Sequence, residues 1–164
     1  MEFDNRGSIV HVSEAVVSLS RVSLLNNTCG GSGGGVFFSI PADVQQQQLC
    51  FPTPTFLQSF HSVEVEVVAS VVRANSATSS HSSGGGIFLG PGGALHLINS
   101  TCAHNTAVQF GGGLALGTGM LSQGSCGLHT VNSTLSHNVA SHGGGQLYVA
   151  CSAGEVTVSG LPLV

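Results

Sequence analysis

A short pattern, an asparagine followed after several residues by three consecutive glycines, occurs four times in this chain. An apolar residue or a cysteine stands three positions before each asparagine. The asparagines are Asn27, Asn75, Asn105 and Asn138, and the glycine blocks are 33–35, 84–86, 111–113 and 143–145. A unit this short cannot bury an apolar face alone, so the copies are expected to stack on one another.

The two best copies, 95–107 and 128–140, align position by position without a gap. The segment 65–77 fits the same frame, 24–29 is a weaker copy, and 155–158 starts a last half-copy. Apolar and polar residues alternate within the copies with a period of two, which indicates two or three short strands in each repeat. No stretch combines the apolar spacing of a helix with caps. The sequence therefore predicts an all-β fold.

Two stacked architectures compete, a propeller and a parallel β-helix. A propeller needs about four strands in each repeat of roughly 40 residues. In a parallel β-helix, equivalent strands of successive turns pair in register, about 4.8 Å apart. The gap-free identity of 95–107 and 128–140 favours the β-helix.

Stacking of the repeats predicts three features of the turns. The four asparagines form an amide ladder, and Asn105 and Asn138 adopt the left-handed backbone conformation that the turn requires. Ala77, Ala107 and Ala140, each two residues after an asparagine, point inward. Each glycine block makes a sharp turn with positive φ. The turn glycines are Gly33, Gly84, Gly111 and Gly143.

At these positions the chain resembles the repeats of the chlamydial polymorphic outer-membrane proteins, which pair an FxxN element with a GGAI element and also occur in algal and other large surface proteins. The FxxN-like elements read LLNN, VRAN, CAHN and LSHN, and the GGAI-like elements read GGGV, GGGI, GGGL and GGGQ. The resemblance covers residues 16 to 158, roughly. It implies a right-handed parallel β-helix of the pectin-lyase type in an adhesin-like surface protein, without catalysis.

The domain organisation follows from length and spacing. The 164 residues form one domain, 1–164, with about four to five coils at about 30 residues each. The wider spacing between the first two copies predicts a loop insertion at about 40–60.

The charged residues exclude several classes of function. Lys and Arg number three, Asp and Glu number seven, the net charge is −4, and lysine is absent. Nucleic-acid binding and lysine chemistry are therefore not expected. Asp4 and Asp43 lie outside the repeat cores, whereas Glu64 and Glu66 share one face of a strand, where solvated glutamates are ordinary.

We therefore expect no catalytic residue and no cofactor, and a noncatalytic structural or adhesive segment of an extracellular repeat protein. Its expected partners are a protein or glycan at a cell surface and the neighbouring repeats of the same chain. A pectin-lyase-like carbohydrate-active or carbohydrate-binding domain is the alternative, because that fold hosts polysaccharide lyases and hydrolases.

Histidines recur in register. His96 and His129 share one position of the repeat and His104 and His137 share another, so each pair is expected to stack on the surface about 5 Å apart. Imidazole pairs bind Zn or Cu, but no register supplies a third ligand, so no metal site is predicted. Stacked imidazoles repel each other when both are protonated, so the pairs are expected to respond to pH at about 6. The repeated Ser-Thr pairs at 100–101 and 133–134 keep ice binding as a further alternative.

Cysteines and sequons bear on the compartment. Cys102 occupies the apolar register and is predicted to be buried, whereas Cys126–Cys151 and Cys29–Cys50 are candidate disulfides. The candidate N-glycosylation acceptors are Asn26, Asn99 and Asn132. With the resemblance, these features favour an extracellular, cell-surface or outer-membrane location. No signal peptide is visible and the apolar end GLPLV lacks a polar cap, so a fragment of a longer chain is expected.

Overall fold

The structure, a computed structural model, describes residues 2–3, 11–12, 16–38, 64–90, 92–117, 125–151 and 153–159. Every regular element in these ranges is a β-strand, and the strands pair in parallel. They form four sheets of five, five, five and four strands. This part of the chain is an all-β parallel solenoid, which confirms the predicted class. It contains no helix that could cross a membrane.

Four repeats, residues 16–38, 64–89, 94–116 and 125–149, each contribute one strand to each sheet. Sheet I contains β3 (Val16–Ser20), β7 (Glu64–Val68), β11 (Ala94–Ile98), β15 (Ser125–Val131) and β19 (Ala153–Ser159). Sheet II contains β1 (Glu2–Phe3), β4 (Ser23–Leu25), β8 (Val71–Arg73), β12 (Thr101–Ala103) and β16 (Thr134–Ser136). Sheet III contains β5 (Thr28–Cys29), β9 (Ser76–Ala77), β13 (Thr106–Ala107) and β17 (Val139–Ala140). Sheet IV contains β2 (His11–Val12), β6 (Val36–Phe38), β10 (Ile87–Leu89), β14 (Leu114–Leu116) and β18 (Leu147–Val149).

The strand register follows the sequence repeat. In sheet I, Leu95 lies opposite Leu128 and His96 opposite His129, as the gap-free alignment of the two copies predicts. The expected number of two or three strands in each repeat is wrong, because each repeat has four. The strands of sheets II, III and IV have only two or three residues, too few for an alternation to be visible in the sequence. Each strand pairs with its equivalent in the next repeat, which a propeller blade would not allow.

Two corners of constant length join sheets I, II and III. Thr101 comes seven positions after Ala94, and Thr106 comes five positions after Thr101; the residues paired with these three have the same spacing in the other repeats. One residue of each corner is left-handed, with φ between 47° and 58°. In the first corner these residues are Arg21, Ala69, Asn99 and Asn132, and in the second they are Asn26, Ala74, His104 and His137.

The prediction that Asn105 and Asn138 are left-handed is wrong. The left-handed residues are His104 and His137, which directly precede them, with φ of 55° and 54°. The physical reason is the direction of the side chains: the histidines are exposed on the outside of the bend, which leaves each asparagine buried on the inside.

The core is one column of aliphatic residues and cysteines inside the sheets, beside a separate buried pair, Phe88 and Ala115. Its largest fully buried members come from sheets I, II and IV, and sheet III contributes small residues because Ala77 and Ala107 point inward, as predicted. Ala140 is only half-buried, since β17 is the last described strand of sheet III. The fully buried leucines are Leu24, Leu89, Leu95, Leu97, Leu114, Leu116, Leu128 and Leu135.

The glycine blocks make the turn into sheet IV, but the fourth block is displaced by one residue. Gly33, Gly84 and Gly111 have positive φ (71°, 68° and 62°), whereas in the fourth block the residue with positive φ is Gly144 (62°) and not Gly143. The pairing of Leu147 with Leu114 explains the difference, because the left-handed glycine stands three residues before the sheet IV strand. The prediction for Gly143 is therefore wrong.

One disulfide links the two ends of repeat 4. Cys126 and Cys151 are bonded to each other, with Cα atoms 6.0 Å apart, and join the sheet I strand of repeat 4 to the segment after β18. Cys29 is also disulfide-bonded. Its predicted partner Cys50 and the predicted loop at 40–60 lie outside the described residues.

Candidate functional site

The four repeat asparagines lie in one column at the corner between sheets II and III. Nδ2 of Asn27 donates to Oδ1 of Asn75 at 2.8 Å, and Nδ2 of Asn75 donates to Oδ1 of Asn105 at 3.0 Å. Nδ2 of Asn105 donates to Oδ1 of Asn138 at 2.9 Å. All four residues are at most 5% exposed. This column is the asparagine ladder, and each asparagine is one rung.

Each interior rung uses the full hydrogen-bonding capacity of its amide. Oδ1 of Asn105 accepts from the backbone N–H of Asn75 at 2.9 Å as well as from its Nδ2. Nδ2 of Asn105 donates both to Asn138 and to the carbonyl of Val72 at 3.0 Å. A buried amide that meets two acceptors and two donors carries no desolvation penalty for an unmade bond. The ladder therefore links each repeat to both of its neighbours.

The glycine blocks and the asparagines pack on each other in successive repeats. A Cβ at Gly86 would lie 3.0 Å from Nδ2 of Asn105 and 2.8 Å from Sγ of Cys102. A Cβ at Gly113 would lie 2.8 Å from Nδ2 of Asn138. Since the asparagine of the next repeat fills this space, glycine is the residue that fits. The two halves of the sequence motif are thus one contact between neighbouring repeats.

A second ladder, of serines, runs along the corner between sheets I and II, and the sequence reasoning missed it. The N–H of Ser70 donates to Oγ of Ser100 at 3.0 Å, and the N–H of Ser100 donates to Oγ of Ser133 at 3.1 Å. All three serines are buried. The gap-free alignment already holds the signal, because Ser100 matches Ser133 in it and Ser70 takes the equivalent position in the copy at 65–77.

The outer face of sheet I collects the glutamates and the first histidine pair. Val65 and Val67 point inward, so Glu64 and Glu66 point outward, as predicted. Oε1 of Glu64 lies 3.4 Å from Nε2 of His96, which stands opposite Glu66 in the register. The rings of His96 and His129 are 5.7 Å apart and tilted by 55°. This polar strip can exchange hydrogen bonds with a polar ligand.

The second histidine pair lies on the corner between sheets II and III. The rings of His104 and His137 are 4.8 Å apart and nearly parallel, at 12°. The nitrogen lone pairs of an imidazole lie in the plane of the ring, so the lone pairs of two parallel stacked rings do not converge on one ion. Within the described ranges, no group of three or more His, Cys, Asp or Glu residues is placed to hold a metal ion.

The three sequon asparagines are exposed at left-handed corner positions. Nδ2 of Asn132 donates to Oδ1 of Asn99 at 2.8 Å, so two of them form a short ladder in water. Ser100 faces inward and Thr101 lies half-buried on the outside. The repeated Ser-Thr pair therefore presents only its threonine to the solvent, which corrects the hydroxyl face considered for ice binding.

Cys102 is the free cysteine of the described part, and it lies fully buried in the core. Burial raises the pKa of its thiol to about 12, although a hydrogen bond from Asn105 acts in the opposite direction. The thiol is therefore neutral and shielded at physiological pH.

Comparisons with protein-family models, with curated proteins and with solved structures each find no match. The resemblance to the polymorphic outer-membrane-protein repeats stays a prediction.

Proposed function

We propose that the chain is a noncatalytic structural and adhesive segment of an extracellular or cell-surface repeat protein. In this proposal the solenoid is a right-handed parallel β-helix of about four to five coils, in the manner of the polymorphic outer-membrane-protein repeats. One observation carries the proposal: two continuous internal ladders fix the register of successive repeats from within.

The residues that stabilise the stack are different from those that form its surface. Buried amides and hydroxyls hold the repeats together, so outward residues can vary without disturbing the stack. Among the side chains that the structure describes, the surface carries few Asp, Glu or Arg residues: Arg21, Glu64, Glu66 and Arg73. A rigid, nearly neutral rod of this kind suits the display of contact surfaces to a protein or glycan on a cell.

The covalent features support the location. Disulfides persist in oxidising compartments and are rare in reducing ones. The Cys126–Cys151 bond and the disulfide-bonded Cys29 fit such a compartment. The exposed sequon residues Asn99 and Asn132 are accessible as glycan acceptors.

Two measurements test this proposal. Antibodies against the chain should label intact source cells, and labelling only after permeabilisation would overturn the location. Beads coated with the full chain should bind a panel of immobilised glycans and cell-surface proteins saturably. Beads coated with the urea-unfolded, reduced chain are the control, and equal binding by both would overturn specific adhesion.

A carbohydrate-active or carbohydrate-binding role is the second candidate, favoured by one observation. Glu64 lies beside His96 at 3.4 Å, with Glu66 on the same outward face. Glycoside hydrolysis uses two carboxylates that flank the scissile bond. Incubation with polygalacturonate and glucans, read out as reducing ends and unsaturated products, should give no turnover. Turnover that Glu64→Gln abolishes would overturn the noncatalytic proposal.

A further inference from the structure

At one position of the repeat, glycine is replaced by a larger residue in repeat 4. In repeats 1 to 3 the residue before the sheet IV strand is Gly35, Gly86 or Gly113. The pairing of Leu114 with Leu147 places Gln146 at the same position in repeat 4. A large polar side chain thus stands where the first three repeats require glycine.

The glycine is required only where another rung follows. Gly35, Gly86 and Gly113 each lie against the asparagine of the next repeat, at hypothetical Cβ distances of 3.1, 3.0 and 2.8 Å from its Nδ2. Asn138 is the last rung among the described residues, so no further asparagine of that part packs over Gln146. The space that an amide fills in the interior is therefore open to a side chain in repeat 4.

Gln146 fills that space with the same chemistry. Its Oε1 accepts from Nδ2 of Asn138 at 2.7 Å and from the backbone N–H of Asn138 at 3.4 Å. In the interior, Oδ1 of Asn138 accepts from the same two groups of Asn105, each at 2.9 Å. One amide oxygen thus receives the two equivalent donors in both places.

We propose that Gln146 terminates the asparagine ladder, as a side-chain cap that replaces the next rung. The cap gives the amide of Asn138 an acceptor that no further rung within the described residues supplies. It also occupies the site where a further asparagine would bond, so the fourth rung is closed to a rung from a second copy of the chain. This inference goes beyond structural adhesion, because it names the atom that replaces the next rung of the ladder after Asn138.

A set of variants of the full chain tests the cap. Gln146→Met keeps the length and removes the acceptor, so Tm is expected to fall by about 2 to 10 °C. Gln146→Glu keeps an acceptor oxygen and should retain most of the wild-type Tm. Gln109→Met, at a half-buried position away from the ladder, is the matched control and should change Tm little.

A double-mutant cycle separates capping from general packing. In the Asn138→Ala variant, Gln146→Met should lower Tm no further. An equal fall in Tm in the Asn138→Ala variant and in the wild type would overturn the cap. If Asn138→Ala does not fold, hydrogen exchange in folded Gln146→Met decides instead. The Asn138 amides should exchange faster than in wild type, and unchanged exchange overturns the proposal. Concentration-dependent protection of β17 and β18 in the wild type would overturn closure to a second copy.

Discussion

Replacing Asn105 by alanine tests whether the asparagine ladder holds the repeats together. The substitution removes four hydrogen bonds. Oδ1 of Asn105 accepts two of them, from the backbone N–H and the Nδ2 of Asn75, and its Nδ2 donates the other two, to the carbonyl of Val72 and to Oδ1 of Asn138. The residue is 0% exposed, so water does not replace these bonds without opening the corner.

The expected loss of stability follows from those four bonds. At about 1 kcal/mol for each buried hydrogen bond lost, the free energy of unfolding should fall by about 4 kcal/mol. A single domain has about 5–15 kcal/mol in total, so the variant should be folded only marginally or not at all at 25 °C.

Urea unfolding followed by far-ultraviolet circular dichroism measures the loss, with Asn99→Gly as the control. Asn99 belongs to the same repeat and bonds to the next repeat through Asn132 at 2.8 Å, but it is exposed. Glycine retains its left-handed backbone, with φ of 48°, so the control should cost less than about 0.5 kcal/mol. If Asn105→Ala cost no more than Asn99→Gly, the ladder would not be what stabilises the stack.

Three further outcomes are expected. Thr130→Val should raise the free energy of unfolding by about 1–2 kcal/mol in thermal or urea unfolding, because the buried Oγ1 has no hydrogen-bond partner in the described structure; an unchanged or lower value contradicts this. Because burial raises the pKa of Cys102 from 9.0 to about 12, the unfolded chain loses the thiol proton first. Stability should therefore fall by about 1.4 kcal/mol per pH unit from about pH 9 upward, and Cys102→Val should remove that part of the slope; identical pH profiles argue against it. Replacing Cys126 and Cys151 together by alanine removes a link between residues 25 apart in sequence and should cost about 3 kcal/mol, which a double variant as stable as the wild type would contradict.

The sequence predicts the strand register well and the corner geometry poorly. The match of 95–107 with 128–140 predicts the pairing of Leu95 with Leu128, because stacked equivalent strands place identical residues side by side. The left-handed corner residues are of four types, Arg, Ala, Asn and His. Ala74 takes the position of His104, so the residue type does not indicate the left-handed conformation.

The displaced glycine block shows a different limit. Three identical residues in a row do not reveal which of them is left-handed, and only the pairing of β18 with β14 identifies Gly144. Gln146 then appears in the sequence as the end of a GGGQ element, although in the structure it occupies a glycine position. Its role depends on which asparagine lies above it, which is a property of the stack and not of the local sequence.

The constant spacing of the two corners divides each repeat into a part that cannot change length and a part that can. One residue inserted at either corner would shift a serine or an asparagine out of its column and expose the partners that it now satisfies. The connections after sheets III and IV carry no such restriction: Ile87 comes ten positions after Ala77, whereas Leu114 comes seven positions after Ala107. Length variation is therefore confined to one side of the solenoid, where new loops can be gained or lost without any change to the ladders that support them.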